Sequence, residues 1–242
     1  MNFLYVEPTL PDDCTFKISP SQISKFFDMP VAWYKDNFLG ENSFTGNTGS
    51  TLGTIIHALA ESAGKGEKPD RDAVEAFLDS IKDPDIDKDV IREHYPEMST
   101  ALMNEYVMAN IPTEIEYQTC AEVLDGIYVA GTVDNRTGDV IVDYKNVKTK
   151  PNTEKIPFGY FIQLMAYAFA DKARGVYTDR IRLVYTVRRT KTLPVRVFVV
   201  THQITEDDWT MVNNTLMLIA LTVKKQREDP NLIKLLYKSM QL

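Results

Sequence analysis

Residues 114–145, EIEYQTCAEVLDGIYVAGTVDNRTGDVIVDYK, decide the fold. From Glu114 the pattern keeps a period of two through Leu124, Asp125-Gly126 is a dipeptide suited to a type I′ hairpin turn, and Ile127 to Val133 is again β-rich. Asn135 to Asp139, containing Thr137-Gly138, turns the chain into Val140-Ile141-Val142-Asp143-Tyr144-Lys145. Three successive antiparallel strands are expected. Val140, Ile141 and Val142 mark the third as buried, where a charge is costly unless it is paired or bound to a metal. Asp143 and Lys145 share a face of that strand, because side chains at i and i+2 align. An isolated D-x-K pattern is more often an exposed strand face with a neutralising pair than a site. Asp134 ends the preceding strand. If it lies opposite Ile141 it is the diagonal neighbour of Asp143, roughly 7–8 Å away between Cα atoms, and both carboxylates can hold one cation. A slip of one residue would destroy that arrangement.

Towards the N-terminus, Ser19-Pro20-Ser21-Gln22 reads as a helix start, with Ser19 as N-cap, Pro20 at the first helical position and Gln22 closing a capping box. That helix runs through Phe27, Met29-Pro30 breaks it, and Val31 to Asn37 restarts it before the loop Gly40 to Gly49. Thr51 to Ser62 places Leu52, Ile55, Ile56 and Leu59 on one helical face and Gly53, His57 and Glu61 on another stripe. A lone histidine on such a helix is more often a satisfied core or boundary residue than a ligand. Asp70 to Asn110 is expected to form acidic helical hairpins, an insertion or cap within a single domain spanning 1–242.

Beyond the strands, Gly159 to Ala173 is a helix, two more strands follow, Thr205-Glu206-Asp207-Asp208 opens a helix to about Arg227, and Leu232 to Met240 reads as a last short one. The fold class is α/β: a central mixed sheet of strands 114–124, 127–134, 140–145, 180–187 and 195–201, flanked by helices.

The chain has 242 residues, 44% hydrophobic and 25% charged, the usage of an ordinary globular protein rather than a disordered or fibrous one. Cys14 and Cys120 are too few for a disulfide framework, a four-cysteine zinc site or a four-thiolate iron–sulfur cluster. Residues 1–14 lack the basic-then-apolar order of a signal peptide, and Met211 to Val223 is far short of the roughly 20 apolar residues that span a bilayer. A cytoplasmic protein is the expectation.

The formal net charge of −7 hides an asymmetry. Between Lys145 and Arg196 there are 12 basic residues against three acidic ones, a net +9 that leaves −16 for the remainder. Such a stretch suits phosphate contact or a set of solvated faces.

Four blocks, in order, resemble the PD-(D/E)XK nucleases, and particularly their RecB-like and RecE-like, phage-type exonuclease branch. They are Ser19-Pro20-Ser21-Gln22-Ile23 leading to Pro30 and Trp33-Tyr34; Leu52-Gly53-Thr54-Ile55-Ile56-His57-Ala58-Leu59-Ala60-Glu61; Gly131-Thr132-Val133-Asp134 with Asp143-Tyr144-Lys145; and Gln163-Leu164-Met165-Ala166-Tyr167. The resemblance implies a restriction-endonuclease-like core. It makes Asp134 and Asp143 the metal-binding acids, Lys145 the signature lysine, the Tyr144 backbone carbonyl and His57 further metal ligands, and Gln163 and Tyr167 a pair beside the catalytic centre. Glu61 and Glu116 stand as acids of less definite role.

Oxygen ligands with one imidazole suit Mg²⁺ or Mn²⁺, and without thiolate partners a cluster-free member is implied. The implied activity is a metal-dependent deoxyribonuclease, most directly an exonuclease resecting duplex ends in recombination or repair. Its partners would be DNA and a single-strand annealing or other recombination protein, with a homo-oligomer allowed. Lys148, Lys150, Arg188, Arg189 and Lys191 are the expected DNA contacts. A restriction- or repair-type endonuclease and a silent binding module of the same fold are the alternatives.

Overall fold

Six strands form one mixed sheet among the described residues, which in this computed structural model are 3, 6–41 and 46–231. They are β1 (Phe16–Ile18), β2 (Glu114–Leu124), β3 (Ile127–Thr137), β4 (Val140–Val147), β5 (Arg180–Val187) and β6 (Arg196–Gln203). The helix expected over Leu232 to Met240 lies outside the described residues.

The arrangement around β3 positions everything that follows. β2 runs antiparallel along one edge of β3. The other edge is shared: β1 pairs in parallel with Ile127 to Val129, and β4 pairs antiparallel with Asn135 to Thr137. Residues 130–134 therefore have no strand partner on that edge among the described residues, and the sheet is notched between β1 and β4. From β4 the sheet continues through parallel β5 to antiparallel β6.

Two local expectations are corrected. In the β2–β3 turn only Gly126 takes a positive φ, +69°, whereas a type I′ turn needs one at Asp125 as well. The register instead shifts between Glu122 and Leu124, a bulge that absorbs the turn. In the β3–β4 hairpin Arg136, not Asp134, lies opposite Ile141, because Thr137 already pairs with Val140 across a two-residue loop. The last pair is Asn135 with Val142, so Asp134 stands where β4 parts from β3.

Helices cover both sheet faces. α1 (Ile23–Asp28), α6 (Phe158–Ala173) and α7 (Glu206–Glu228) pack on the face that receives Val129, Ile141, Leu183 and Tyr185. α3 (Thr48–Gly64), α4 (Arg71–Ser80) and α5 (Lys88–Glu105) pack on the face that receives Val140, Val142, Tyr144 and Val184. Alternate residues of β4 thus feed two cores. α2 (Pro30–Tyr34) joins the first layer through buried Trp33.

Ser19 makes no side-chain cap. Pro20–Gln22 form a 3₁₀ turn before α1, so the expected capping box is absent. α3 does have one, built by Asn47 and Ser50, and it starts the helix at Thr48, three residues before the apolar pattern becomes legible. A buried ion pair fastens α6 to the sheet: Arg136 and Asp171 meet at 3.2 Å, both nearly inaccessible, and the Tyr117 hydroxyl donates to the same carboxylate at 2.7 Å.

Candidate active site

β4 carries Asp143 and Lys145 on the α6 face, as their spacing requires. The Lys145 ammonium lies 2.6 Å from Asp143 Oδ2 and 5.1 Å from the centre of the Tyr160 ring. Gln163 Nε2 donates to Asp143 Oδ1 at 3.2 Å. Tyr160, Gln163 and Tyr167 follow one face of α6 at helical spacing. Tyr160 was not anticipated, and its i, i+3 relation to Gln163 is the signal that would have found it.

Asp134 is held differently. Its Oδ2 accepts the Tyr144 backbone N–H at 2.7 Å, filling the gap where the ladder ends, and its Oδ1 lies 3.4 Å from His57 Nδ1. His57 comes from α3, so the two acids are held from opposite layers and meet at the edge of the notch. The expected diagonal pairing is replaced by this splayed junction.

The reason Asp134 turns towards α3 lies in β2 and β3. Tyr117 with Val133 and Glu114 with Arg136 are paired positions on the α6 face, yet they are three residues apart along each strand. Regular alternation needs an even number. The odd residue is absorbed at Glu116, whose φ of +46° is the one positive value at a non-glycine position among the described residues. Glu116 and Asp134 therefore both face a cleft of about 560 Å³ that His57, Glu61, Lys65 and Thr132 also line.

The charges in this region are crowded. Burial pushes Glu116 up to about 8, reinforced by Asp134 and Glu61. Burial, together with Asp134, also raises Asp143 in spite of Lys145. Asp134 is lowered: burial opposes its charge, but His57, Lys145 and the Tyr144 N–H outweigh it. Burial likewise disfavours cations on His57 and Lys145, yet their carboxylate neighbours raise both. The lowered lysine pKa that would suit a general base is not present, because Asp143 holds the ammonium charged.

The donor set fits a divalent cation. Carboxylates of Asp134, Asp143 and Glu116, one imidazole and the Tyr144 carbonyl are oxygen and nitrogen donors suited to such an ion, which would offset the burial and the carboxylate repulsion that together raise the Glu116 pKa. Among the described residues no three His, Cys, Asp or Glu side chains are placed as they stand to hold a metal ion together; Lys145 pairs with Asp143 and His57 with Asp134. Glu61 is tied to Lys65 at 2.5 Å on the cleft wall.

Tyr167 belongs to the notch itself. A Cβ on Gly131 would meet its Cε1 at 3.0 Å and Pro20 Cδ at 3.1 Å, so any larger residue would press on the ring and the 3₁₀ turn that close over β3. Ser19, Ser21, Gln22 and Tyr167 line a small hollow there of about 300 Å³. Of the expected DNA contacts, Lys148, Lys150 and Lys191 are exposed, and Lys150 lies over the Phe198 ring. Arg189 is engaged by Glu93 at 2.7 Å and Glu97 at 3.6 Å, and Arg188 is half-buried.

The α/β sheet thus parts at a D-x-K strand, and acids from two strands converge there. The chain belongs to the PD-(D/E)XK nuclease superfamily, whose family model matches residues 17–230. Members of this superfamily generally use divalent metal ions. Among solved structures, a Eubacterium rectale protein described as a putative exonuclease superposes with a TM-score of 0.60 at 14% identity, covering 86% of this chain and 80% of its own. A structure of LHK-Exo in complex with dAMP gives 0.46 at 12% identity, covering 90% and 94%. At these identities the likeness is one of fold. No curated protein matches the sequence. No helix among the described residues is long and apolar enough to cross a membrane.

Proposed function

We propose that the protein is a Mg²⁺- or Mn²⁺-dependent deoxyribonuclease that hydrolyses DNA phosphodiester bonds, working as an exonuclease on duplex ends in recombination or repair. One observation carries the reading. Asp143, Lys145 and Gln163 from one layer and Asp134 and His57 from the other meet where β4 leaves β3.

Asp134, Asp143, His57 and the Tyr144 carbonyl would hold the ion, with Glu116 joining once it ionises. Such an ion supplies an activated water and charge neutralisation at the phosphoryl oxygens. Lys145, kept as an ammonium by Asp143, offers its protons to the attacked phosphate or to the attacking water, a role of charge stabilisation and orientation. Gln163 fixes the free oxygen of Asp143 so that the carboxylate does not rotate away. Tyr167 and the turn at Pro20 line the notch beside the reacting group. Lys148, Lys150, Arg188, Arg189 and Lys191 provide the positive border along which a DNA backbone can lie.

The test is incubation with linear and with covalently closed circular duplex DNA in the presence of Mg²⁺ or Mn²⁺. Progressive loss of the linear substrate with an intact circle is expected. Cutting of the circle would make the enzyme an endonuclease, and no cutting of either with each metal would contradict the proposal.

A further inference from the structure

Lys145 is tied to the site by one acid, and that acid has a second claimant. Among the described residues Asp143 is the single carboxylate within ion-pair distance of the Lys145 ammonium, at 2.6 Å. Asp143 is also one of the acids that would hold the ion. A carboxylate whose charge is shared with a divalent cation attracts an ammonium less, and the cation repels it. A lysine held by that carboxylate alone has a flexible four-carbon stem on which to swing away.

Tyr160 supplies a second hold. Its ring centre lies 5.1 Å from Lys145 Nζ, within the range at which a cation is drawn to an aromatic face, and the lysine side chain is largely buried, where that attraction is stronger than in water. The ring is itself fixed. It meets the buried ring of Tyr185 at 6.4 Å and 63°, and Tyr185 is the residue paired with Lys145 across the β4–β5 ladder. The first turn of α6 is seated on α1, since a Cβ on Gly159 would meet Ser24 Cβ at 3.2 Å and its Oγ at 3.3 Å. One turn on, Gln163 donates to the other oxygen of Asp143. Successive turns of α6 thus hold both members of the Asp143–Lys145 pair, the acid by an amide and the lysine by a ring. The Tyr160 hydroxyl has no hydrogen-bond partner among the described residues, so Tyr160 meets the site through its ring alone.

We propose that Tyr160 is a positioning residue for hydrolysis, its ring holding the Lys145 ammonium towards the reacting phosphate while Asp143 serves the cation. This rests on the nuclease reading of the same site. Loss of the ring should be felt in turnover rather than in DNA binding, because the exposed Lys148, Lys150 and Lys191 that border the site are untouched.

The test is steady-state cleavage of linear duplex DNA with Mg²⁺ by the full chain, beside DNA affinity in chelator and thermal unfolding, for the parent, Tyr160→Phe, Tyr160→Leu, Tyr160→Met, Lys145→Ala and the double variant Lys145→Ala with Tyr160→Leu. Tyr160→Leu keeps a large apolar side chain without an aromatic face, and it should lower kcat about tenfold with KM and metal-free affinity within about twofold of the parent. Tyr160→Met should behave alike, so a Leu variant that unfolds leaves the comparison intact. Tyr160→Phe keeps the ring and should stay within about threefold of the parent kcat. In the Lys145→Ala background, Tyr160→Leu should change kcat by less than about twofold, since the group it acts through is gone.

A parent-like kcat in folded Tyr160→Leu or Tyr160→Met, a Tyr160→Phe as slow as either, or the same fall with and without Lys145 would overturn the inference while leaving a cleaving parent a nuclease. The last outcome would mark a ring that only packs. A parent that cuts no DNA with either ion would remove the nuclease reading and this inference with it.

Discussion

Replacing Glu116 by Gln should stabilise the protein, and by an amount that grows with pH. Glu116 sits in the cleft against Asp134 and Glu61, and burial with these neighbours raises its pKa from 4.5 to about 8. Above pH 4.5 the unfolded chain has released this proton while the native protein still holds it. The parent therefore loses stability as pH rises towards 8, and the loss is complete above that value. At about 1.4 kcal/mol per pH unit the ceiling is roughly 5 kcal/mol. Because the cleft is open to solvent and the charge is shared with Asp134, about 1–3 kcal/mol is the expected gain near pH 8. The gain should vanish near pH 4.5.

Urea unfolding of both proteins at about pH 4.5, 6 and 8 measures this directly, provided the m-values agree. Mg²⁺ should narrow the difference at pH 8, since a cation in the cleft lets Glu116 ionise without penalty. Parallel pH dependences in the two proteins would refute the crowding argument, and with it the case for Glu116 as a member of the site.

Asp171→Ala leaves the buried Arg136 guanidinium with Glu114 at 3.6 Å as its remaining carboxylate and should cost about 3 kcal/mol, read as a fall in the denaturation midpoint. Gly131→Ala forces Tyr167 or the Pro20 turn to shift, so it should lower the rate of DNA cleavage more than it lowers thermal stability. Lys145→Ala should reduce cleavage at saturating DNA by about 10²-fold or more while affinity stays within an order of magnitude. Near-normal turnover would remove Lys145 from the chemistry.

Much of the fold was legible because the strands from Glu114 onward alternate strongly and their turns carry Gly126 and Gly138. β4 and β5 were found almost to their ends. β1 was missed, since three residues, Phe16–Ile18, show no period and are strand only by pairing with β3. That pairing also makes the notch, which no local pattern announces.

Asp143 and Lys145 could be placed on one face from spacing alone. Asp134 could not, because its direction depends on the odd residue at Glu116 and on the two-residue offset of the β3–β4 register. His57 was visible as a stripe, but its carboxylate partner required the third dimension.

The central claim is that Asp134, Asp143 and Lys145 form a metal-dependent phosphodiesterase centre. The most direct measurement is Mg²⁺- or Mn²⁺-dependent release of nucleotides from linear duplex DNA by the parent and by Asp143→Asn, which preserves the shape of the side chain and its neighbour Gln163 while removing the charge. The account predicts metal-dependent release by the parent, none on chelation, and a loss of about 10²-fold or more in the variant at unchanged thermal stability. Equal release by the two proteins would contradict it.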